Sequence, residues 1–395
     1  MSTQVGIGFS QHKDSMVAAQ EAAQQAKDQL KKERIDFAIL LNSVNYAPEE
    51  ILPVVCTILD NTRLIGSSTA GIILSDRIET HGVAVLAFHS DNIVFETSFT
   101  SHLDLQNMNE AGQTFGQSSI TDWGQKNRKV FLFFVDGLMK DLSGLTEGIK
   151  GKLGQFFPII GAGSTDDFHF QRTYQYQQNQ YLSHSAVGVL LGGKPVLALS
   201  GTHGWKPLGK PRTINESQGN VIKTIDRKSA FTLYRDYFEQ HAETLRLNRL
   251  GQINVRYPLG VLEKNQKQYI LRNVVEVLDD ESIVCQDNVH KDSTVNMMIG
   301  NKETCLQSAE QAAQALKEQL DAKKPSVVIV LESILRYKLL GRTALKEIKL
   351  IQNIVGPDIP VFGMYSHGEI FPVKSSDNHL GTIVNNGSIV LLAIG

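Results

Sequence analysis

Three short stretches place a hydroxyl residue three positions after a glycine: Gly66 and Thr69 in RLIGSSTAGI, Gly161 and Ser164 in PIIGAGSTDD, Gly363 and Ser366 in PVFGMYSHGE. Two apolar residues precede each glycine, as where a buried strand runs into a tight turn. Glycine lets the backbone approach a ligand closely, and exposed N–H groups with hydroxyls form a cradle for a carboxylate or phosphate. Ser67, Ser68, Thr69, Gly71, Ser164, Thr165, Tyr365 and Ser366 are therefore candidate ligand-binding residues. The same hydroxyls can instead satisfy their own turns. Asp166, Asp167 and Glu369 follow the turns. Asp166 and Glu369 join the candidates as acceptors for an ammonium or guanidinium. Ion pairing with Arg172 or Arg336 is the other reading.

Histidine offers metal chemistry. Of eleven histidines, His203 in GTHGW and His367 in YSHGE have aromatic neighbours in motif loops. Both are candidate metal ligands, and no CxxCH occurs. A hydrogen-bonded loop histidine is the alternative for each. Catalytic signatures are missing: there is no G-x-S-x-G, H-E-x-x-H or G-x-x-x-x-G-K-[ST], and no G-x-G-x-x-G opens a helix. Ser366 and His367 are adjacent on an extended segment and so point to different sides. No enzyme is expected; a small-molecule enzyme using Ser366 is the alternative.

The elements that would position these residues recur three times. Strand TQVGIGF, helix DSMVAAQEAAQQAKDQLKKE, strand DFAILLNS and helix APEEILPVVCTILDNT lead to the first turn, and GVAVLAF and IVFETSF follow. VFLFFVD and a glycine-loaded helix lead to the second turn, followed by AVGVLLGGKPVLALSG, read as a hairpin with a Gly-Gly-Lys-Pro turn. STVNMMIG, a helix from ETCLQ, SVVIVLES and a helix from GRTAL lead to the third turn, and GSIVLLAIG ends the chain. Between the second and third copies, THGWKPLGKP reads as a loop, SAFTLYRDYFEQHAETL as a helix, and QINVRYPLGVLE, QYILRNVVEVLDD and SIVCQ as a β-meander. The expected fold is α/β, with mixed sheets built from repeated strand-helix-strand-helix-strand-strand units. Two domains are expected, 1–228 with two repeats and 229–395 with a helix, the meander and the third repeat.

Bulk properties narrow the class. Lys+Arg of 39 against Asp+Glu of 41 gives a net charge of −2, and no basic run interleaves with aromatics, so nucleic acid is not an expected partner. The longest apolar runs are strand-sized, well short of the ~20 residues of a membrane span, and the first residues do not read as a signal peptide. A cytoplasmic protein without membrane insertion is expected. Its three widely spaced cysteines suggest neither a disulfide framework nor a CxxC site.

LIGSSTAGIILSD, PIIGAGSTDDFHFQRTYQY, the stretch from THGWKPLGKP to LYRDYF, and PVFGMYSHGEIFPV with NNGSIVLLAIG resemble the FIST N and FIST C domains over nearly the whole chain. The resemblance implies a bacterial sensory module of signal transduction that binds a small molecule. It further resembles the stand-alone subgroup that binds haem, senses nitric oxide and modulates a separate histidine kinase, which implies a non-covalent haem b with His203 or His367 as candidate axial ligand, and a histidine kinase or other signalling output protein as partner; an amino-acid-like ligand is the alternative. Two positions depart from the family pattern: Asn385-Asn386 stands where a His-Asn pair is frequent, and His367 precedes the glycine-glutamate turn.

Overall fold

A computed structural model describes residues 3–30, 34–124, 127–247, 251–263, 268–374 and 380–395. The first unit runs β1 (Gln4–Ser10), α1 (Ser15–Leu30), β2 (Phe37–Asn42), α2 (Pro48–Ile58), β3 (Leu64–Ser68), a hairpin of β4 (Ile72–Leu74) and β5 (Ile78–Glu79), then β6 (Val83–His89). The second repeats it: β7 (Ile93–Thr100), α3 (Met108–Thr121), β8 (Arg128–Asp136), α4 (Leu142–Leu153), β9 (Ile159–Ser164), a hairpin of β10 (Gln175–Gln177) and β11 (Gln180–Leu182), then β12 (Ala186–Gly193). The third opens with β13 (Leu197–His203) and is interrupted by a subdomain. That subdomain holds β14 (Lys206–Gln218), β15 (Val221–Ile225), β16 (Lys228–Ser229), α5 (Thr232–Phe238), α6 (Gln252–Arg256), β17 (Leu259–Leu262), β18 (Ile270–Arg272), β19 (Val274–Val277), β20 (Ile283–Cys285) and β21 (Thr294–Ile299). The unit resumes with α7 (Lys302–Leu320), β22 (Val327–Ser333), α8 (Ile334–Leu340), α9 (Ala344–Val355), β23 (Val361–Ser366), a hairpin of β24 (Glu369–Lys374) and β25 (Leu380–Asn385), and β26 (Ser388–Ile394).

Each unit builds one six-stranded sheet but sends its hairpin to another. The orders are β1-β6-β2-β3-β10-β11, β7-β12-β8-β9-β24-β25 and β13-β26-β22-β23-β4-β5. Sheet one thus takes the hairpin of unit two, sheet two that of unit three, and sheet three that of unit one. The exchange closes a pseudo-threefold ring, and the second and third sheets each take strands from both sides of residue 228. One face of each sheet meets the others in a single apolar core that includes Leu86, Phe134 and Leu392; the helices cover the outer faces. With both faces covered, the central strands β2, β8 and β22 are almost entirely buried, which is why they read as continuous apolar runs.

The repeated glycines sit at the same node of this ring. Gly66, Gly161 and Gly363 pair in parallel with Leu40, Phe133 and Val330. On the other side they face the incoming hairpins at Tyr176, Ile370 and Ile73. A Cβ at any of the three would collide with the parallel partner's backbone carbonyl or side chain. Close sheet packing therefore accounts for the repeated glycine.

The strand-rich mixed α/β class is as expected, but several element assignments change. β6 and β7, and β12 and β13, are not hairpins: each pair crosses from one sheet to the next, so the Gly-Gly-Lys-Pro turn is a crossover. The third unit begins at β13, not at STVNMMIG, which forms β21 of the subdomain sheet. The supposed loop KPLGKP begins the 13-residue β14, and QINVR is helical. The tail of the first helix pattern, 31–33, lies outside the described residues.

Candidate functional site

The three corners converge at one end of the ring, and there they bind one another. Ser67 Oγ lies 2.7 Å from Ser164 Oγ, and Ser68 Oγ donates to the Thr165 carbonyl at 2.9 Å. Thr165 Oγ1 accepts from Ala70 N at 2.7 Å and donates to the Tyr365 carbonyl at 2.9 Å. Thr69 Oγ1 lies 2.8 Å from that same carbonyl, and Tyr365 N donates to the Gly71 carbonyl. All these side chains are buried. The hydroxyls thus form an internal polar hub that holds three sheets in register.

The acidic candidates serve the same end. Glu369, fully buried, accepts from Ser366 Oγ at 2.8 Å and Gly368 N at 3.2 Å through Oε1, and from Gly387 N and Ser388 N at 3.0 and 2.9 Å through Oε2. Burial pushes its carboxyl up to about 7 despite those four donors. Asp166 accepts the backbone N–H groups of Phe170, Gln171 and Arg172 and so organises the loop between β9 and β10. Arg336 lies elsewhere, buried between Glu332 and Glu347.

Both singled-out histidines are engaged. His203 Nε2 bonds the Tyr269 carbonyl at 2.9 Å, and Nδ1 accepts from Trp205 N at 3.3 Å. Burial pushes its pKa down to about 4, so the ring is neutral. Trp205 is pinned where the chain enters the subdomain, its indole donating to the Val255 carbonyl at 3.2 Å. His367 directs Nδ1 to the Gly137 carbonyl at 2.9 Å, away from Ser366, so the adjacent Ser and His form no nucleophile–base pair. Among the described residues no group of three or more His, Cys, Asp or Glu is placed to hold a metal.

Beside the hub, at the seam between ring and subdomain, lies a cavity of about 220 Å³. The ring contributes Gly137, Lys140, Phe170 and His367; the subdomain contributes Asn220, Glu276 and Gln286. Gln286 is 7% exposed and its Nε2 has no hydrogen-bond partner. Asn386, also buried, leaves both amide atoms unpartnered. The two amides approach the same point: a Cβ on Gly368 would lie 3.5 Å from Gln286 Nε2 and 3.6 Å from Asn386 Nδ2. The subdomain is latched nearby. Leu271 N donates to Asn385 Oδ1, Asn386 N donates to the Leu271 carbonyl, and Ser143 Oγ donates to Asp287 Oδ2 at 2.6 Å. Of this seam the sequence singled out only His367 and the Asn385-Asn386 departure. Lys140, Glu276 and Gln286 stand in no motif, and only the folded seam brings them together.

Fold and seam together define a pseudo-threefold α/β protein with an inserted β-rich subdomain and a polar cavity between the two. The chain belongs to the FIST-domain family, sensory ligand-binding modules of signal transduction: the FIST N domain matches residues 36–228 and the FIST C domain residues 230–372. The uncharacterized protein MJ1623 of Methanocaldococcus jannaschii is 24% identical over 297 residues, which cover 69% of this chain and 54% of that protein. The chain thus spans about half the length of that relative. Among solved structures, PurLQS from Thermotoga maritima aligns with 100% of this chain and 72% of its own at 9% identity and a TM-score of 0.23. T. maritima PurL complexed with AMPPCP aligns with 99% and 72% at 9% identity and a TM-score of 0.22; scores this low relate neither fold nor function. No helix among the described residues is long and apolar enough to cross a membrane.

Proposed function

We propose that this protein is a sensory receptor for a small amino-acid-like ligand held in the seam cavity. The observation that carries the reading is a cavity with Lys140 on one wall and Glu276 on the other, beside which the Gln286 Nε2 is buried without a hydrogen-bond partner. Leaving such a donor unpaired costs about 1–3 kcal/mol, which a turn of the Gln286 side chain toward an acceptor oxygen of a ligand recovers. Lys140 from the ring side suits a carboxylate, and Glu276 from the subdomain side suits an ammonium. A ligand touching both walls binds a closed seam better than an open one, and that difference in affinity is what a sensor needs. The signal then passes to a separate partner, a histidine kinase or another signalling output protein.

Haem with nitric oxide is the other reading, and the residues fit it poorly. His203 has both ring nitrogens bound to backbone groups. His367 faces a polar cavity of about 220 Å³, below the roughly 300–1,000 Å³ usual for larger ligands. Calorimetric titration with the twenty amino acids tests the proposal. At least one should bind, and Gln286→Ala or Lys140→Ala should weaken it tenfold or more. Haem titration is the counter-test: a stoichiometric Soret band that shifts with nitric oxide would reverse the order of the two readings. Equal effects of ligand-free and ligand-loaded protein on a partner kinase would remove the signalling role.

A further inference from the structure

The loop from 165 to 174 lines the seam cavity through Phe170 and, through Phe168, touches Lys338 on the wall of a second hollow. Asp166 gathers three of its backbone N–H groups, from Phe170, Gln171 and Arg172. The pinned segment holds two phenylalanines in the left-handed region, Phe168 at φ 71° and Phe170 at φ 55°. Bulky L residues avoid that region, and strain of this kind is stored where a segment is held for a purpose. Phe170 forms part of the seam cavity wall, its ring 5.5 Å from that of His367. Phe168 lies on α8, stacked 6.3 Å from Tyr337 with Lys338 Nζ 3.9 Å above its ring.

Lys338 also lines a groove of about 430 Å³, with Gln252, Val255, Arg256, Asn301, Lys302 and Leu339. It holds three cations and no carboxylate. Among the described residues, none of Arg256, Lys302 and Lys338 has an acidic partner. The groove abuts the first turn of the 19-residue α7, whose dipole adds to the positive potential. Such a concentration, in a chain of net charge −2, suits clustered carboxylates.

We propose that this groove receives an acidic peptide segment of a partner protein, and that the 165–174 strap couples this contact to occupancy of the seam cavity. The coupling rests on the ligand reading above; the groove does not. A ligand in the seam competes with the Phe170 ring for a small volume. Phe168 is two residues away on the same pinned segment, so displacing Phe170 shifts the ring beneath Lys338 and repositions one wall of the groove.

The test is fluorescence anisotropy with a labelled deca-glutamate peptide at low ionic strength. Wild-type protein should bind, and the Arg256→Ala/Lys302→Ala pair should bind at least tenfold more weakly while keeping the wild-type circular dichroism and melting temperature. Phe170→Ala, outside the groove, should change peptide affinity threefold or more, as should any amino acid that binds the seam. Absence of wild-type binding, or equal binding by the double variant, overturns the groove. Wild-type affinity in Phe170→Ala overturns the strap. If no amino acid binds yet Phe170→Ala still shifts peptide affinity, the ligand reading and its coupling fail, while the groove and its mechanical link to the strap stand.

Discussion

Ser67 and Ser164, 97 residues apart in the chain, bring their buried hydroxyl oxygens within 2.7 Å of each other. The contact joins unit one to unit two, and Thr165, next in sequence, ties both to unit three through the Tyr365 carbonyl. The hub is thus a clasp among three sheets, and its removal should be felt as lost stability. Thr165→Val keeps the shape but strands Ala70 N–H, a buried donor, at a cost of about 1–3 kcal/mol. Thr165→Ser should restore most of it. Urea unfolding with unchanged m-values is the measurement. A Val variant as stable as wild type would show that the hub is ornamental.

The three node glycines should tolerate no side chain. Gly363→Ala drives a Cβ into the Val330 carbonyl, an overpacking of a rigid backbone contact expected to cost about 3 kcal/mol, the upper end of the usual range. Gly66→Ala and Gly161→Ala should behave alike. Gly151 supplies the control: it lies inside α4 with nothing within 4 Å of its Cβ position. Gly151→Ala should stabilise the protein by roughly 0.5–1 kcal/mol, the helical preference of alanine over glycine. Thermal melts of the four variants would separate the two classes, and a mild effect at all three nodes would remove the packing explanation.

The node was legible in the sequence because it depends on local spacing: glycine, then hydroxyl, at the end of an apolar strand. Its purpose was not, since Ser67, Thr165 and Tyr365 become neighbours only through the hairpin exchange, and no period in the sequence records which sheet receives a hairpin. The same exchange misled the reading of β12 and β13, whose short Gly-Gly-Lys-Pro link has the local chemistry of a hairpin turn while its flanking strands join different sheets. Strands β10 and β11, three residues each, are too short to show alternation. The seam was least legible of all. Lys140, Glu276 and Gln286 belong to unremarkable loops and strands, and a buried amide without a partner is a property of packing, invisible to composition.

The edge strands carry a protective device that can be tested alone. Gln29 on α1 donates to the Ile7 carbonyl at 2.7 Å and accepts from Ile7 N at 3.0 Å; Gln319 on α7 does the same for Leu199 at 2.8 and 3.2 Å. Each amide imitates a neighbouring strand and occupies groups that would otherwise template aggregation. Gln319→Ala should lower stability by only ~0.5–1.5 kcal/mol yet raise aggregation on prolonged warming. Light scattering at matched fraction unfolded checks it, and wild-type aggregation kinetics would show that the clamp protects nothing.

Stability should fall as pH rises from the acid range toward neutrality, because of Glu369. Its carboxyl is raised from 4.5 to about 7 by burial. An acid with a raised folded-state pKa contributes stability that is full below the unfolded value and is lost as pH climbs toward the folded one. The window is therefore about pH 4.5 to 7, and a shift of that size corresponds to at most ~3 kcal/mol. Glu332, pushed up by burial and by Glu347 beside it, acts in the same direction. Glu369→Gln cannot ionise, so its stability should change less than that of wild type between pH 5 and pH 8, whatever its absolute value. Denaturant unfolding of both proteins at the two pH values gives the difference, and parallel pH profiles would mean that four donors, from Ser366, Gly368, Gly387 and Ser388, hold Glu369 ionised across the whole range.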